Sequence, residues 1–295
     1  MKLEIPKNKK ILIVGLGLLG GSYAMALTKK GYEVYAITRR ESTIEYALNH
    51  GLIKGGTTEV DKDLISSADI AVFALYPHTF IDWIEKYGKY FKKGAIITDV
   101  TGVKGCIVEK VQAALPEGVE FIGAHPMAGR EVYGVENSND KIFEGANYIV
   151  TPTDKNTEYG IETCKELGKI LGFGHISELS PAKHDRMIAF LSQLTHCIAV
   201  ALMTCNDDNN ICDYTGDSFR DLTRIARINE DMWSELFMLN KDSLISEIKA
   251  FGGELEKLRR ALETDDIETM KKMMRVSTER RALFDKKKKE EQEEQ

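Results

Sequence analysis

The segment Gly15-Leu16-Gly17-Leu18-Leu19-Gly20 constrains this chain more than any other stretch. It follows the apolar run ILIV and precedes SYAMALTKKG, which has helical periodicity, so the glycines fall where a strand turns into a helix. In that setting the Gly-x-Gly-x-x-Gly pattern serves a dinucleotide. Gly15 permits the tight turn, Gly17 lets backbone approach a pyrophosphate, and Gly20 lets helix and strand pack closely. Leu16, Leu18 and Leu19 belong to the same cofactor-binding turn. The helix start offers unpaired N–H groups and the positive end of its dipole to the phosphates.

From Ile11 to about Thr153, short apolar runs alternate with amphipathic stretches, and ILIVG, EVYAIT, IAVFAL, GAIITDV, EFIGAHP and NYIVTP read as strands. Such runs separated by helices predict a parallel sheet covered on both faces, an α/β Rossmann-type doubly wound sheet. PTDKNTEYGIETCKELGKILG reads as one more helix and GHISELSP as a last short strand and loop, with Ser180 and Pro181 fit to cap and start a helix. From Ala182 onward apolar residues recur at helical spacing and no strand is expected. The reading is a dinucleotide-binding domain over 1–176 and an all-α substrate and dimerisation domain over 177–295. The latter ends in a charged tail, KKKKEEQEEQ, expected to fray. A helical domain of this kind does not bury all its apolar faces alone, which predicts a homodimer built through it.

Composition narrows the function by exclusion. The 295 residues are 43% apolar and 29% charged with a net charge of −6, so nothing global favours nucleic acid or an anionic membrane. No apolar run is expected to reach the roughly 20 residues that span a bilayer. MKLEIPKNKK lacks the apolar core of a signal peptide. Five cysteines at irregular spacing, with no CxxC pair, point to free thiols in a reducing compartment and away from a metal site. A cytoplasmic protein is the expectation.

The second strand ends in TRRES, where an NAD-binding unit would place a carboxylate on the ribose 2′-OH. Thr38 removes the repulsion such a group exerts on a 2′-phosphate, and Arg39 or Arg40 can pair with that phosphate. The alternative is two solvated arginines. The pattern favours NADP over NAD.

His125, in GAHPMAG after the fifth strand, lies at the carboxyl edge of the sheet, where ligands bind in open α/β folds. It is placed to accept a proton from a substrate hydroxyl as hydride leaves, although a structural histidine fits the same pattern. Ser192 and His196 lie four residues apart on one helix face. Arg220 and Arg224 share another face, which suggests an anionic substrate, and Asp221 is placed to hold Arg224.

Together GLGLLGGS, TDVTGVKG, GAHPMAG, SPAKHDR, LTHCIAVAL and FRDLTRIA…MW give the chain a resemblance, along nearly its whole length, to the prephenate/arogenate dehydrogenase family. The resemblance implies an NAD(P)-dependent oxidative decarboxylation of prephenate to 4-hydroxyphenylpyruvate, in tyrosine biosynthesis, by a homodimer. It implies that His125 takes the proton of the ring C4 hydroxyl and Arg224 binds a carboxylate. Ser192, His196 and Trp233 match positions lining the substrate pocket, Asp221 the acidic residue beside the arginine, and Lys104 a position in the loop after the fourth predicted strand.

Two departures stand out. The family loop usually carries serine where this chain has Gly102, so Thr101 is the candidate to supply the hydroxyl from one position earlier. Arg130 occupies a place often held by serine or threonine, beside an acidic Glu131, and is a candidate contact for an anionic group. Three rivals are weighed. Arogenate dehydrogenase would need a partner for the substrate ammonium, with Gln193, Asp207 or Asp208 as candidates. A β-hydroxyacid dehydrogenase would need a catalytic lysine where this chain offers Lys183 and then His196. A non-catalytic NAD(P) sensor would have no use for His125 together with the arginine pair. No regulatory domain is expected after Arg281.

Overall fold

The computed structural model describes residues 3–284, so the charged tail lies outside the described residues. Strand β1 (Lys10–Val14) is the centre of a six-stranded parallel sheet with β2 (Glu33–Ile37), β3 (Gly55–Thr57), β4 (Ile70–Phe73), β5 (Ile96–Asp99) and β6 (Glu120–Phe121). The strand order is β3-β2-β1-β4-β5-β6, the doubly wound order whose direction reverses between β1 and β4. Helices α1 (Leu18–Lys29), α2 (Glu41–Asn49), α3 (Lys62–Ser67), α4 (Pro77–Tyr87), α5 (Gly105–Ala114) and α6 (Glu158–Leu171) supply the connections and faces. Tyr23, Leu27 and Val150 fill the core on one side of the sheet, and Phe73, Phe80, Ile84 and Phe121 fill it on the other. The near-continuous apolar strands are therefore buried on both faces, as the sequence predicts.

Three details differ from the sequence reading. Strand β3 went unseen because Gly-Gly-Thr has no apolar run to announce it. EFIGAHP is not one strand. It pairs with β5 only over β6, and after Ile122 it continues as β7 (Gly123–Pro126), which pairs antiparallel with β8 (Asn147–Thr151). Strand β9 (His175–Glu178) joins β8 in parallel, so β7-β8-β9 form a separate three-stranded sheet.

The segment between β7 and β8 packs on α1. The Asn139 N–H donates to Ser22 Oγ at 3.0 Å while Ser22 donates to the Leu18 carbonyl at 2.7 Å. A Cβ on Gly21 would lie 2.0 Å from Ser138 Oγ. Gly21 and Ser22 thus serve this contact.

Beyond β9 every described element is helical. Helix α7 (Pro181–Ile188) begins as expected, with Ser180 Oγ accepting from the Lys183 N–H at 3.3 Å. It runs through a π turn (Ala189–Leu194) into α8 (Thr195–Thr204). The continuous helix Pro181–Thr204 corrects the expectation that no apolar run approaches membrane-spanning length. Its 24 residues, with a mean hydropathy of 1.7 in the most apolar window, are long and apolar enough by that test. The expectation failed because Ser192, Gln193, Thr195 and His196 interrupt the apolar run in the sequence without breaking the helix. The side chains of His184, Asp185 and Gln193 hydrogen-bond inside the protein, which makes this helix a wall of the fold.

Helices α9 (Asp217–Thr223), α10 (Glu230–Leu239), α11 (Lys241–Glu263) and α12 (Ile267–Ala282) complete the chain. Among the described residues, those up to Leu244 form one compact unit and those from Ile245 onward a second. Beyond Glu178 the chain turns helical, and α5 and α7 are joined by buried hydrogen bonds. In the second unit, Asp265 takes a left-handed φ of +52° at the turn and Asp266 caps α12.

A Cβ on Gly20 would lie 1.9 Å from the Gly15 carbonyl, with backbone on both sides of the clash. Gly20→Ala is expected to destabilise the fold by about 1–3 kcal/mol. An unaltered urea midpoint for the variant would show that the turn opens without cost.

Candidate active site

The carboxyl ends of β1, β4 and β5 lie at one edge of the sheet, and the cofactor turn crosses that edge. Gly15 has φ +96°, and a Cβ there would lie 2.5 Å from the Ala74 carbonyl. Gly17 differs, having nothing within 4 Å of its would-be Cβ. Two of the glycines therefore hold the turn, and the middle one faces open space that a side chain would fill. Helix α1 starts with no side-chain cap and no acidic residue in its first turn, so its N–H groups face an anion without competition. These features fit a dinucleotide pyrophosphate. Leu16 and Leu18 are buried beneath the turn, with Leu19 packed against the core. At the tip of β2, Thr38 is half-buried and Arg39 and Arg40 are exposed.

The loop after β5 is organised by a buried ion pair. Lys104 is wholly buried, and its Nζ donates to Asp99 Oδ2 at 2.6 Å, to the Ala124 carbonyl at 2.6 Å and to Thr101 Oγ1 at 3.1 Å. Burial pushes the Lys104 ammonium down in pKa while Asp99 pulls it back. Asp99 Oδ1 accepts from the Ala124 N–H at 3.0 Å. The pair therefore grips both polar groups of Ala124, the residue before His125. Thr101 does not have the role expected of it. Its hydroxyl is buried, bonded to Asp99 and to the Val103 carbonyl, so it closes the loop and does not face a ligand. A Cβ at Gly102 would instead lie 3.9 Å from His125 Cε1 and 3.6 Å from Leu236, so it is position 102 that borders the histidine.

His125 is half-buried on β7, opposite Ile149. Its Nδ1 lies 2.9 Å from Nε2 of His184 on α7, and His184 Nδ1 lies 2.8 Å from Asp185 Oδ1. The Asp185 carboxylate caps α5 from outside, accepting from the Lys104 N–H at 2.8 Å and the Gly105 N–H at 2.7 Å. Asn240 donates to the Asp185 carbonyl at 2.8 Å and to Gln193 Oε1 at 2.8 Å, while Gln193 donates to the Leu236 carbonyl at 3.0 Å. Desolvation, the His184 ring and the Lys104 charge hold the His125 imidazole well below its ordinary pKa. That shift favours the neutral ring.

Helix α10 links this histidine to a second group. One turn before Leu236, Trp233 stacks on His196 with ring centroids 3.7 Å apart, and His196 Nδ1 lies 2.8 Å from the Ser192 carbonyl. Burial keeps His196 below its ordinary pKa, and it feels the charges of both Glu131 and Arg224. Those two form an ion pair at 2.6 Å. Ser192, His196, Trp233, Arg224 and Glu131 are thus neighbours. The partner of Arg224 is Glu131, and not Asp221, which is exposed. Arg220 pairs locally with Asp217 at 3.0 Å and with the Thr215 carbonyl at 2.9 Å, so it is not aligned with Arg224 toward a common anion. Arg130 is exposed. Gln193 has both amide ends committed within the buried network and is not offered to a substrate ammonium, while Asp208 is exposed and accepts from the Asn210 N–H in its own turn.

The reading of single residues missed His184, Asp185 and Asn240. The signal was the His-Asp pair in SPAKHDR, two polar residues on the face of α7 that the fold buries.

Residues 23–174 match the family described as prephenate dehydrogenase, nucleotide-binding domain, and residues 180–276 match prephenate dehydrogenase, dimerization domain. A prephenate dehydrogenase of Bacillus subtilis is 30% identical over 267 residues, covering 88% of this chain and 72% of that protein. The crystal structure of prephenate dehydrogenase from A. aeolicus in complex with hydroxyphenyl propionate and NAD+ is similar with a TM-score of 0.86 at 29% identity, over 96% of this chain and 100% of that one. Arogenate dehydrogenase from Synechocystis shares the fold, with a TM-score of 0.81 at 24% identity over 93% of this chain and 99% of that one. With a glycine cradle fit for a dinucleotide and both family domains matched in order, the chain belongs to the prephenate dehydrogenase family.

Proposed function

We propose that this protein catalyses the oxidative decarboxylation of prephenate to 4-hydroxyphenylpyruvate, with His125 as the base. The observation that carries the assignment of the base is the placement of His125 on β7, one residue beyond the gripped Ala124 and with its Nδ1 2.9 Å from His184 Nε2. The bound nicotinamide supplies the hydride acceptor. His125 takes the C4 hydroxyl proton as the C4 hydrogen leaves with its electron pair. Loss of the ring carboxylate as CO2 then aromatises the ring, and the proton returns to the ring oxygen. The remaining duties are orientation and charge. Arg224 is suited to hold a substrate carboxylate in exchange for Glu131, and the stacked His196 and Trp233, with Ser192 beside them, wall the ring site.

For the cofactor we favour NADP. Thr38 leaves β2 without a carboxylate at its tip, and Arg39 and Arg40 are exposed beside it, engaged in no ion pair among the described residues. We further propose a homodimer. Met187, Phe190, Leu191 and Met203 are exposed apolar residues on the Pro181–Thr204 helix, and a second copy would cover them. A cytoplasmic setting suits the thiols of Cys106, Cys164, Cys197 and Cys205, none of them in a disulfide.

Purified protein mixed with prephenate and NADP or NAD should form reduced nicotinamide faster with NADP. Arg39→Ala combined with Arg40→Ala should lower kcat/KM for NADP by about 10–100-fold, the loss of one or two charge-assisted contacts, and leave NAD nearly untouched. Equal losses with both cofactors would remove the 2′-phosphate role. No turnover with either cofactor would overturn the function itself.

His125→Asn should cost about 10²–10⁴ in kcat. Because the base works when neutral and its folded pKa is depressed, kcat/KM should hold its plateau as pH falls past about 6.5 and decline only below it. An acidic limb at or above that value would contradict this reading of the site.

Arg224→Ala should raise KM for prephenate by about 10–100-fold with a smaller change in kcat. A KM that does not move would leave Arg224 as a surface partner of Glu131 alone.

A further inference from the structure

We propose that His184, held by Asp185, is a positioning residue that fixes His125 as the Nδ1–H tautomer and so reserves its Nε2 as the proton-accepting atom. The inference rests on His125 being the base and goes beyond it by naming which ring nitrogen acts and what selects it.

Asp185 accepts two backbone N–H groups at the start of α5, at 2.8 and 2.7 Å, an arrangement suited to a carboxylate and not to a carboxylic acid. Its Oδ1 lies 2.8 Å from His184 Nδ1, and an acceptor-only oxygen there requires the proton on that nitrogen. A neutral His184 then presents a lone pair at Nε2. That lone pair faces His125 Nδ1 at 2.9 Å, so the proton between the rings belongs to His125. The lone pair of His125 is left on Nε2, the atom away from His184.

This order fails only if His184 is an imidazolium, since it would then donate from Nε2 and push the His125 proton to the wrong nitrogen. His184 is wholly buried. Its surroundings include Lys104, Asp99, Asp185 and His125, and burial and the Lys104 charge outweigh the carboxylates and hold its pKa down. The two ring planes are inclined at 61°, and the Nδ1···Nε2 separation of 2.9 Å is that of a hydrogen bond. A histidine whose tautomer is fixed by a buried acidic partner loses up to about 10⁴ in rate when that control is removed.

The decisive measurement is on the wild-type protein without substrate. Ring ¹⁵N NMR of histidine-labelled enzyme near neutral pH, with His125 assigned from the spectrum of His125→Asn, should show Nδ1 protonated and Nε2 bare. A protonated Nε2 on His125 would overturn the proposal. His184→Phe should lose about 10²-fold in kcat with KM within a few-fold of wild type, and should shift the His125 signals toward a tautomer mixture. His184→Gln, whose amide oxygen can accept the same Nδ1–H, should recover most of the rate and the wild-type signals. Full activity and unchanged His125 signals in His184→Phe would also overturn it. The ¹⁵N result on the wild type does not depend on turnover, so it separates failure of this inference from failure of His125 as base, which the His125→Asn rate reports.

Discussion

The grip of Lys104 and Asp99 on the peptide of Ala124 is the interaction on which the site depends. A fully buried ion pair carries a desolvation cost of several kcal/mol per ion, which excellent geometry and further hydrogen bonds must offset. Here they do. The ammonium makes contacts with a carboxylate, a hydroxyl and a carbonyl, and the carboxylate also accepts two backbone N–H groups. Such a pair is weak evidence for net stability, because an apolar replacement of both partners is often neutral. Its value here is positional. It ties the loop after β5 to the first residues of β7, at the point where the chain leaves the parallel sheet, and fixes the backbone on which His125 stands.

From that anchor one polar network runs across the compact unit. Asp185 completes the start of α5, His184 joins it to His125, and Asn240 and Gln193 tie α7 and the π turn to α10. Each buried amide or carboxylate in it has a partner, the condition under which such networks rigidify a site. The π turn at Ala189–Leu194 sits between Asp185 and His196. A π turn widens the helix locally, and turns of this kind occur often at functional sites. Here it separates the part of the helix that supports the base from the part that stacks on Trp233.

The cofactor half of this arrangement was legible in the sequence and the catalytic half only partly so. Glycine requirements are local. Gly15 and Gly20 meet backbone within a few residues or in the adjacent strand, so the spacing alone reports the turn. Apolar runs likewise reported β1, β2, β4 and β5, whereas Gly55-Gly56-Thr57 pairs as a strand through backbone bonds that carry no hydropathy signal. The position of Thr101 in the chain says nothing of which way its hydroxyl turns. The nearest acceptor, Asp99, lies two residues back and wins it. Arg224 was paired in the sequence with its neighbour Asp221, but the structure gives it Glu131, 93 residues away. Contacts of that separation are set by the fold and leave no periodic trace.

The two halves also differ in what holds them. The cradle for the dinucleotide is made of absences, with no Cβ at Gly17, no cap on α1 and no carboxylate at the tip of β2. The proposed base is made of presences, one side chain oriented by another and each satisfied in turn. Absence is cheap to keep and leaves the cofactor free to enter and leave. A base must instead hold one nitrogen and one protonation state in place through each cycle, and backbone alone cannot do that. Burial of His184 and Asp185 in the wall formed by α5, α7 and α10 follows from this need. It also accounts for polar residues within a helix otherwise apolar enough to pass for a membrane span.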